Sequence, residues 1–214
     1  MYSKFTRVYL FFEFSLLFLG IPLFIRFFSD LIHPSFILVP TIVGVILLLT
    51  FTTDFSLREL IIITVKKKQL IRNGIFLSLS AMFLLFLVMW MTPGNLFDLP
   101  EKHFRLWVLL CASYPLLSAY PQEIIYRLFL FKRYKRLLST KILRITASAV
   151  TFGFAHIIYG SGLSVMLTLV AGFYLAWVYT RTKSVLYTTI LHCVFGFLVF
   201  TLGLGQYFIL GIGR

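Results

Sequence analysis

Apolar runs about as long as a bilayer is thick are the feature that most restricts the fold of this 214-residue chain. A helix needs about 20 predominantly apolar residues to cross a bilayer, and several runs here approach or exceed that length. Of the residues, 60 % are hydrophobic and only 13 % are charged, whereas charged residues make up about 25 % of a soluble domain. The runs are continuous rather than alternating, which argues against a transmembrane β-barrel. The sequence therefore predicts an all-α fold, a polytopic transmembrane helix bundle that forms a single integral membrane domain over residues 1–214.

About seven to eight spans are predicted, separated by short polar segments. Seven of them cover about residues 8–25, 35–51, 75–91, 104–131, 142–159, 163–179 and 184–202. Residues 54–72 combine a capping box with a cluster of lysines, so we expect an amphipathic helix along the cytosolic surface. The glycine-rich residues 203–214 are long enough only for a short or partly inserted eighth helix. Pro121 removes one hydrogen bond from the fourth span, which predicts a kink just before Gln122.

The formal net charge of +13 comes mainly from lysines and arginines in the short segments between the apolar runs. This distribution indicates contact with membrane lipids and not with nucleic acid, because basic residues collect in cytosolic loops and near anionic headgroups. Most of the basic residues lie in residues 1–7, 54–72, 132–144 and 181–183. All four segments fall on one side of the membrane if the chain starts inside, so we expect a cytosolic N-terminus.

Three spans carry an ionisable side chain well inside the bilayer, namely Glu123, His156 and His192. Counted from the nearest basic segment, these residues lie about 13, 18 and 13 Å below the cytosolic boundary. Charged groups at such depth are costly and rarely face lipid, which marks them as candidates for a functional site. A carboxylate and two imidazoles from three helices are therefore predicted to meet near the middle of the bilayer.

This set of side chains suits hydrolysis. A carboxylate shielded from bulk water can accept a proton from a nucleophilic water, and a neighbouring histidine can share that water or protonate a leaving amine. A histidine from another helix can donate a hydrogen bond to the oxyanion that forms during peptide hydrolysis. Arg127 follows Glu123 by one helical turn, so it is placed to orient the carboxylate.

Three short motifs occur in order on separate spans: Gln122-Glu123-x-x-x-Arg127, then Phe152-x-x-x-His156, then His192. Together they resemble the motifs of the CAAX-protease and bacteriocin-processing (CPBP) family, over a core of about residues 104–202. The resemblance implies an intramembrane endopeptidase that hydrolyses peptide bonds with water activated by glutamate and histidine. It implies peptide or protein substrates with a membrane-proximal segment, no bound metal or other cofactor, and a bacterial inner (plasma) membrane as the location.

The chain departs from the family pattern at two positions. The family begins its first motif with two adjacent glutamates, of which the first acts with the histidine of the second motif on water; Gln122 occupies that first position. The third-motif histidine and an asparagine one turn later form the family's oxyanion site, and here Gly196 replaces the asparagine. A glutamine cannot act as a general base, so either Glu123 has taken that role or proteolysis is lost.

Other interpretations remain open at this stage. Glu123 and Arg127 also fit a buried i, i+4 ion pair that only fixes helix packing. One carboxylate and two imidazoles also match a catalytic zinc site with an open fourth position, although the chain has no HExxH pattern. The two departures are consistent with a non-catalytic immunity or scaffold protein that binds membrane peptides. A proton-coupled transporter with Glu123 as the carrier is a further alternative, but the chain shows no internal repeat.

Overall fold

The computed structural model describes residues 4–28 and 35–208, and within these ranges the chain is helical, without strands. We number the helices α1 (4–28), α2 (Ser35–Thr52), α3 (Arg58–Ile61), α4 (Lys67–Met91), α5 (Asp98–Lys102), α6 (104–133), α7 (Lys141–Tyr159), α8 (Gly162–Thr182) and α9 (Val185–Leu202). Short 3₁₀ turns occupy Pro93–Asn95 and Gly205–Phe208. The predicted all-α class is confirmed, and each of the seven predicted spans is a long helix.

Five described helices are long and apolar enough to cross a membrane, namely α1, α4, α7, α8 and α9. The apolar part of α2, Pro40–Thr52, is shorter. Helix α6 is long enough, but polar residues around Gln122 lower its hydropathy. The chain is therefore an integral membrane protein. Residues 209–214, where the eighth helix was predicted to continue, lie outside the described residues.

The predicted amphipathic helix over 54–72 is wrong in its extent. One of the two hydrogen bonds of the capping box is present, since the Ser56 amide donates to the Glu59 carboxylate at 2.9 Å. It starts only the single turn of α3, after which residues 62–66 form no helix. The lysine cluster belongs mainly to the first turn of α4, which extends the third span toward the surface.

Tertiary hydrogen bonds explain why this helix stops. The Tyr120 hydroxyl donates to the Leu60 carbonyl at 3.0 Å, and the Ser184 hydroxyl donates to the Ile62 carbonyl at 2.6 Å. A continued α-helix would need both carbonyls for its own amides. Residues 61–65 are also all β-branched, and such side chains favour extended backbone. The segment therefore crosses one end of the bundle in extended form.

Basic segments that were predicted to be cytosolic meet on one face of the bundle. Arg133 at the end of α6 pairs with Glu13 of α1 at 2.7 Å, and Lys132 pairs with Glu59 of α3 at 2.7 Å. These contacts place the start of the chain, the 54–72 segment and the end of α6 at the same end of the bundle. That grouping is the one expected from the distribution of charge along the sequence.

Helix α9 lies at the centre of the bundle and contacts α4, α6 and α8. Helices α7 and α8 pack against each other through glycines. A Cβ atom at Gly172 of α8 would lie 3.1 Å from the Ala149 Cα atom of α7, and a Cβ at Gly153 would lie 3.0 Å from the Leu169 Cβ atom. Small residues allow this approach, which is typical of helix packing within membranes. The contact fixes the position of His156, because that residue follows Gly153 by three positions in the last turns of α7.

Substitution of Gly172 by valine is expected to destabilise the protein by about 1–3 kcal/mol, because the added side chain would push α7 and α8 apart. The measurement is thermal unfolding in detergent micelles. Gly74→Ala in α4 serves as the matched control, since a Cβ atom there meets nothing within 4 Å. An equal loss of stability in both variants would contradict the packing argument.

Candidate functional site

Helix α6 carries the first motif and departs from α-helical geometry on both sides of it. Pro115–Ala119 and Ile124–Phe129 are π-helical turns, and the single α-turn Tyr120–Glu123 lies between them. Single π-turns within α-helices often occur at functional sites. Pro121, which predicted a kink, lies in the α-turn between the two irregular segments.

Glu123 is completely buried and contacts two other predicted site residues. Its Oε1 atom lies 3.0 Å from Nδ1 of His192 in α9, and its Oε2 atom lies 3.3 Å from Nε of Arg127 one turn later. A carboxylate only accepts hydrogen bonds, so the His192 Nδ1 atom carries the proton of this bond. The structure therefore joins the first and third motifs directly.

Arg127 is also completely buried, and a serine that sequence reasoning missed supports it. The Arg127 Nη1 atom donates to the Ser148 hydroxyl of α7 at 2.8 Å, and that hydroxyl donates to the Tyr126 carbonyl at 2.6 Å. The guanidinium also lies over the Phe152 ring, 4.9 Å from its centroid. These contacts hold the Arg127 side chain against Glu123 and connect α6 with α7.

A cavity of about 210 Å³ lies beside this pair, and both histidines line it. The rings of His156 and His192 both pack edge to face against Phe152, with centroids 4.9 and 5.3 Å from the Phe152 centroid. Gln122 also lines the cavity, whereas Glu123 does not. The wall is mostly apolar, so these polar groups project into an apolar enclosure, as is common in ligand sites.

Both histidines present an unprotonated Nε2 atom in their neutral form. The His156 Nδ1 atom lies 2.8 Å from the Phe152 carbonyl, and since a carbonyl only accepts, Nδ1 donates. His192 Nδ1 donates to Glu123 in the same way. In each neutral ring Nε2 is then a hydrogen-bond acceptor and a base. Neither Nε2 atom has a hydrogen bond to another described residue.

Gln122 lies where the two cavities of this region meet. Its Nε2 atom donates to the Ser118 hydroxyl at 2.9 Å, and its Oε1 atom is buried without a partner among the described residues. A second cavity, of about 370 Å³, lies toward α1 and α2 and shares Gln122 and His156 with the first. Gln122 therefore occupies a position that would contact a ligand, while the adjacent Glu123 points into the protein.

The spacing of residues along α6 indicates which side of this helix faces the cavity. Tyr114, Ser118 and Gln122 are four residues apart and all line the first cavity. Residues at this spacing share one face of a helix, so the cavity-facing side of α6 could have been predicted from Gln122. The contact of Ser148 with Arg127 had no comparable signal, since it depends on how α6 and α7 pack.

Within residues 4–28 and 35–208, no group of three or more His, Cys, Asp or Glu side chains is arranged to hold a metal ion. Of the three residues considered for zinc, Glu123 and His192 face each other through a hydrogen bond. The His156 Nδ1 atom is used by the Phe152 carbonyl.

Comparison with protein families places this site in a known context. The family model described as "Type II CAAX prenyl endopeptidase Rce1-like" matches residues 104–198, which include α6 to most of α9 and all five predicted site residues. No curated protein and no solved structure matches the chain significantly. The matched region coincides with the core that the three motifs marked. Residues 104–198 of this integral membrane protein are therefore similar to the Rce1-like CAAX prenyl endopeptidases, in agreement with the CPBP family that the motifs resemble.

Proposed function

We propose that the protein is an intramembrane endopeptidase in which His192, oriented by Glu123, activates the hydrolytic water. The Rce1-like family is a family of peptidases, and this supports a peptidase at the level of the family. The observation that carries the specific proposal is the 3.0 Å hydrogen bond between His192 Nδ1 and Glu123 Oε1 at the cavity wall. A carboxylate that accepts from one ring nitrogen fixes the tautomer and orientation of a catalytic histidine.

The hydrogen bond to Glu123 determines which nitrogen of His192 can act as a base. Nδ1 donates to the buried Glu123 carboxylate, so Nε2 of the neutral ring is the atom that accepts a proton. Donation from Nε2 to an oxyanion, the role of this histidine in the family, would require a proton on that atom first.

Hydrolysis proceeds in two steps. The water oxygen attacks the peptide carbonyl carbon, its proton moves to His192 Nε2, and the carbonyl π electrons move to the oxygen, which becomes an oxyanion. The oxyanion then re-forms the carbonyl, the C–N bond breaks, and the imidazolium returns its proton to the leaving nitrogen. His156 Nε2 accepts the second hydrogen of the water and so holds it beside His192. Glu123 and Arg127 act as positioning residues, and Gln122 contacts the substrate or the water.

The cavity suggests which substrates fit. Its lining is mostly apolar and it lies among membrane-spanning helices, so a substrate would present an apolar or membrane-proximal peptide segment. We infer that the face that carries Lys132 and Arg133 is cytosolic and that the membrane is a bacterial inner membrane with its lipids around the bundle. Hydrolysis in this proposal uses no metal or other cofactor.

Gln122 supports a second candidate function, the binding of membrane peptides without hydrolysis. This residue faces the cavity at the position where the family carries its glutamate, and an amide accepts no proton from water. In such a protein the pair of Glu123 and Arg127 would fix the helices, and the cavity would hold an intact peptide.

One experiment separates the two functions. The wild-type protein and a Gln122→Glu variant are reconstituted in liposomes with a library of membrane-proximal peptides, and new termini are detected by mass spectrometry. If His192 is the base, the wild type cleaves peptides, and the rate of cleavage by Gln122→Glu differs by less than about 10-fold. Cleavage by Gln122→Glu alone, with retained binding by the wild type, would select the binding function and contradict the proposed base.

A further inference from the structure

The space beside Gly196 in α9 is filled by a side chain from another helix. A Cβ atom at Gly196 would lie 2.5 Å from Cζ and 2.7 Å from the hydroxyl oxygen of Tyr114 in α6. The phenol therefore takes the volume that any side chain at position 196 would need. Gly196 is one turn after His192, so this volume borders the cavity next to that histidine.

The ring of Tyr114 is held in place by aromatic neighbours on α9. Its centroid lies 5.9 Å from the His192 centroid, 6.1 Å from that of Phe197 and 5.6 Å from that of Phe200. Such edge contacts stabilise a ring in one orientation. Tyr114 lines the cavity, and its hydroxyl group makes no hydrogen bond to another described residue. The structure thus presents a fixed hydroxyl donor at the wall of the cavity.

We propose that Tyr114 is a catalytic residue that donates a hydrogen bond to the oxyanion formed during peptide hydrolysis. This inference rests on the proposed function. With Nδ1 donating to Glu123, the N–H that His192 gains at Nε2 is the one it returns to the leaving nitrogen, and the side chain of Gly196 offers no donor to the oxyanion. The Tyr114 hydroxyl is the donor placed against both residues. It keeps its proton throughout, and its bond strengthens as negative charge develops on the substrate oxygen.

Tyr114→Phe retains the ring and removes only the hydroxyl group, so the fold is expected to be preserved. Loss of one oxyanion donor lowers kcat by about 10²–10³-fold, and we expect this loss with little change in KM. The matched control is Tyr174→Phe in α8, where a buried hydroxyl that has no hydrogen-bond partner among the described residues lies outside this cavity. A Tyr114→Phe variant with the kcat of the wild type would overturn the proposal.

Substitutions at positions 114 and 196 test whether a hydrogen-bond donor is needed in the volume that the two residues share. Gly196→Asn alone is expected to destabilise the protein, because its Cβ atom overlaps the Tyr114 ring. Tyr114→Ala opens this space and should lower kcat as much as Tyr114→Phe. The double variant Tyr114→Ala with Gly196→Asn supplies an amide donor in the vacated volume, and we expect it to recover at least about 10-fold of the lost kcat. No recovery in a folded double variant would count against an oxyanion role for this position.

A binding measurement distinguishes failure of this inference from failure of the proposed function. The probe is a peptide phosphonate, whose tetrahedral anion imitates the oxyanion, compared with the peptide amide of the same sequence. The wild type is expected to prefer the phosphonate, and Tyr114→Phe to lose about 10-fold or more of that preference. If the wild type shows this preference but cleaves nothing, the proposed function is wrong, but the assignment of Tyr114 as a hydrogen-bond donor is supported. An equal preference in both proteins rejects the donor whether or not cleavage occurs.

Discussion

His192→Ala is expected to lower kcat for peptide hydrolysis by about 10²–10⁴-fold, the usual contribution of a general base, with KM little changed. The physical reason is the fixed tautomer of the imidazole. Nδ1 donates to Glu123 at 3.0 Å, so Nε2 faces the cavity as an acceptor. Without the ring, no group at this position accepts the proton of the attacking water.

The measurement is the steady-state rate of cleavage of a membrane-proximal peptide in proteoliposomes. His103→Ala is the matched control, because His103 is exposed between α5 and α6 and lies outside both cavities. Glu123→Gln should also lower kcat, since a glutamine amide can donate to the ring and select the other tautomer. A purely structural Glu123 would instead lower the amount of folded protein and leave kcat per folded molecule unchanged. Wild-type kcat in His192→Ala would falsify the proposed base.

Arg127→Ala is expected to destabilise the protein by about 3–5 kcal/mol, the largest effect on stability that we predict. The guanidinium is completely buried; it pairs with Glu123 of its own helix and donates a hydrogen bond to Ser148 of α7. Its removal leaves the Glu123 carboxylate buried without its counter-charge. The lost contact over Phe152 adds a smaller term.

A double-mutant cycle checks the origin of this loss. Thermal or denaturant unfolding in micelles is measured for Arg127→Met, Glu123→Gln and the double variant. If the stranded charge dominates, the double variant is more stable than Arg127→Met alone. Arg105→Ala, an exposed arginine at the start of α6, is the control and should change stability by less than about 0.5 kcal/mol. Additive losses in the cycle would mean that the two side chains act independently.

The long helices were predictable from the sequence because a helix that crosses a membrane satisfies its backbone hydrogen bonds internally and forms a continuous apolar run. Five of the described helices are long and apolar enough to cross. The segment 54–72 was predicted less well, because its backbone hydrogen bonds are made partly with other helices. It lies at the end of the bundle, where the carbonyls of Leu60 and Ile62 are bonded by side chains from distant helices. Amphipathic periodicity contains no information about such partners.

The candidate site was likewise predicted only in part. The positions of the side chains along their helices were enough to predict that Glu123 and His192 meet. The structure places Glu123 Oε1 3.0 Å from His192 Nδ1. Depth does not determine rotation, however, and adjacent helical residues point about 100° apart. Only the packed structure shows that Gln122 faces the cavity while Glu123 points toward His192 and Arg127. The catalytic roles proposed for these residues follow from that rotation and remain predictions.

The close approach of Tyr114 and Gly196 also has a consequence for sequence variation. Because one side chain fills the volume of the other, these two positions cannot change independently. Chains that carry asparagine at the position of Gly196 should carry a small residue at the position of Tyr114, and chains with tyrosine there should keep glycine. The pair is separated by 82 positions in the sequence, so only a contact in the folded protein would produce this covariation.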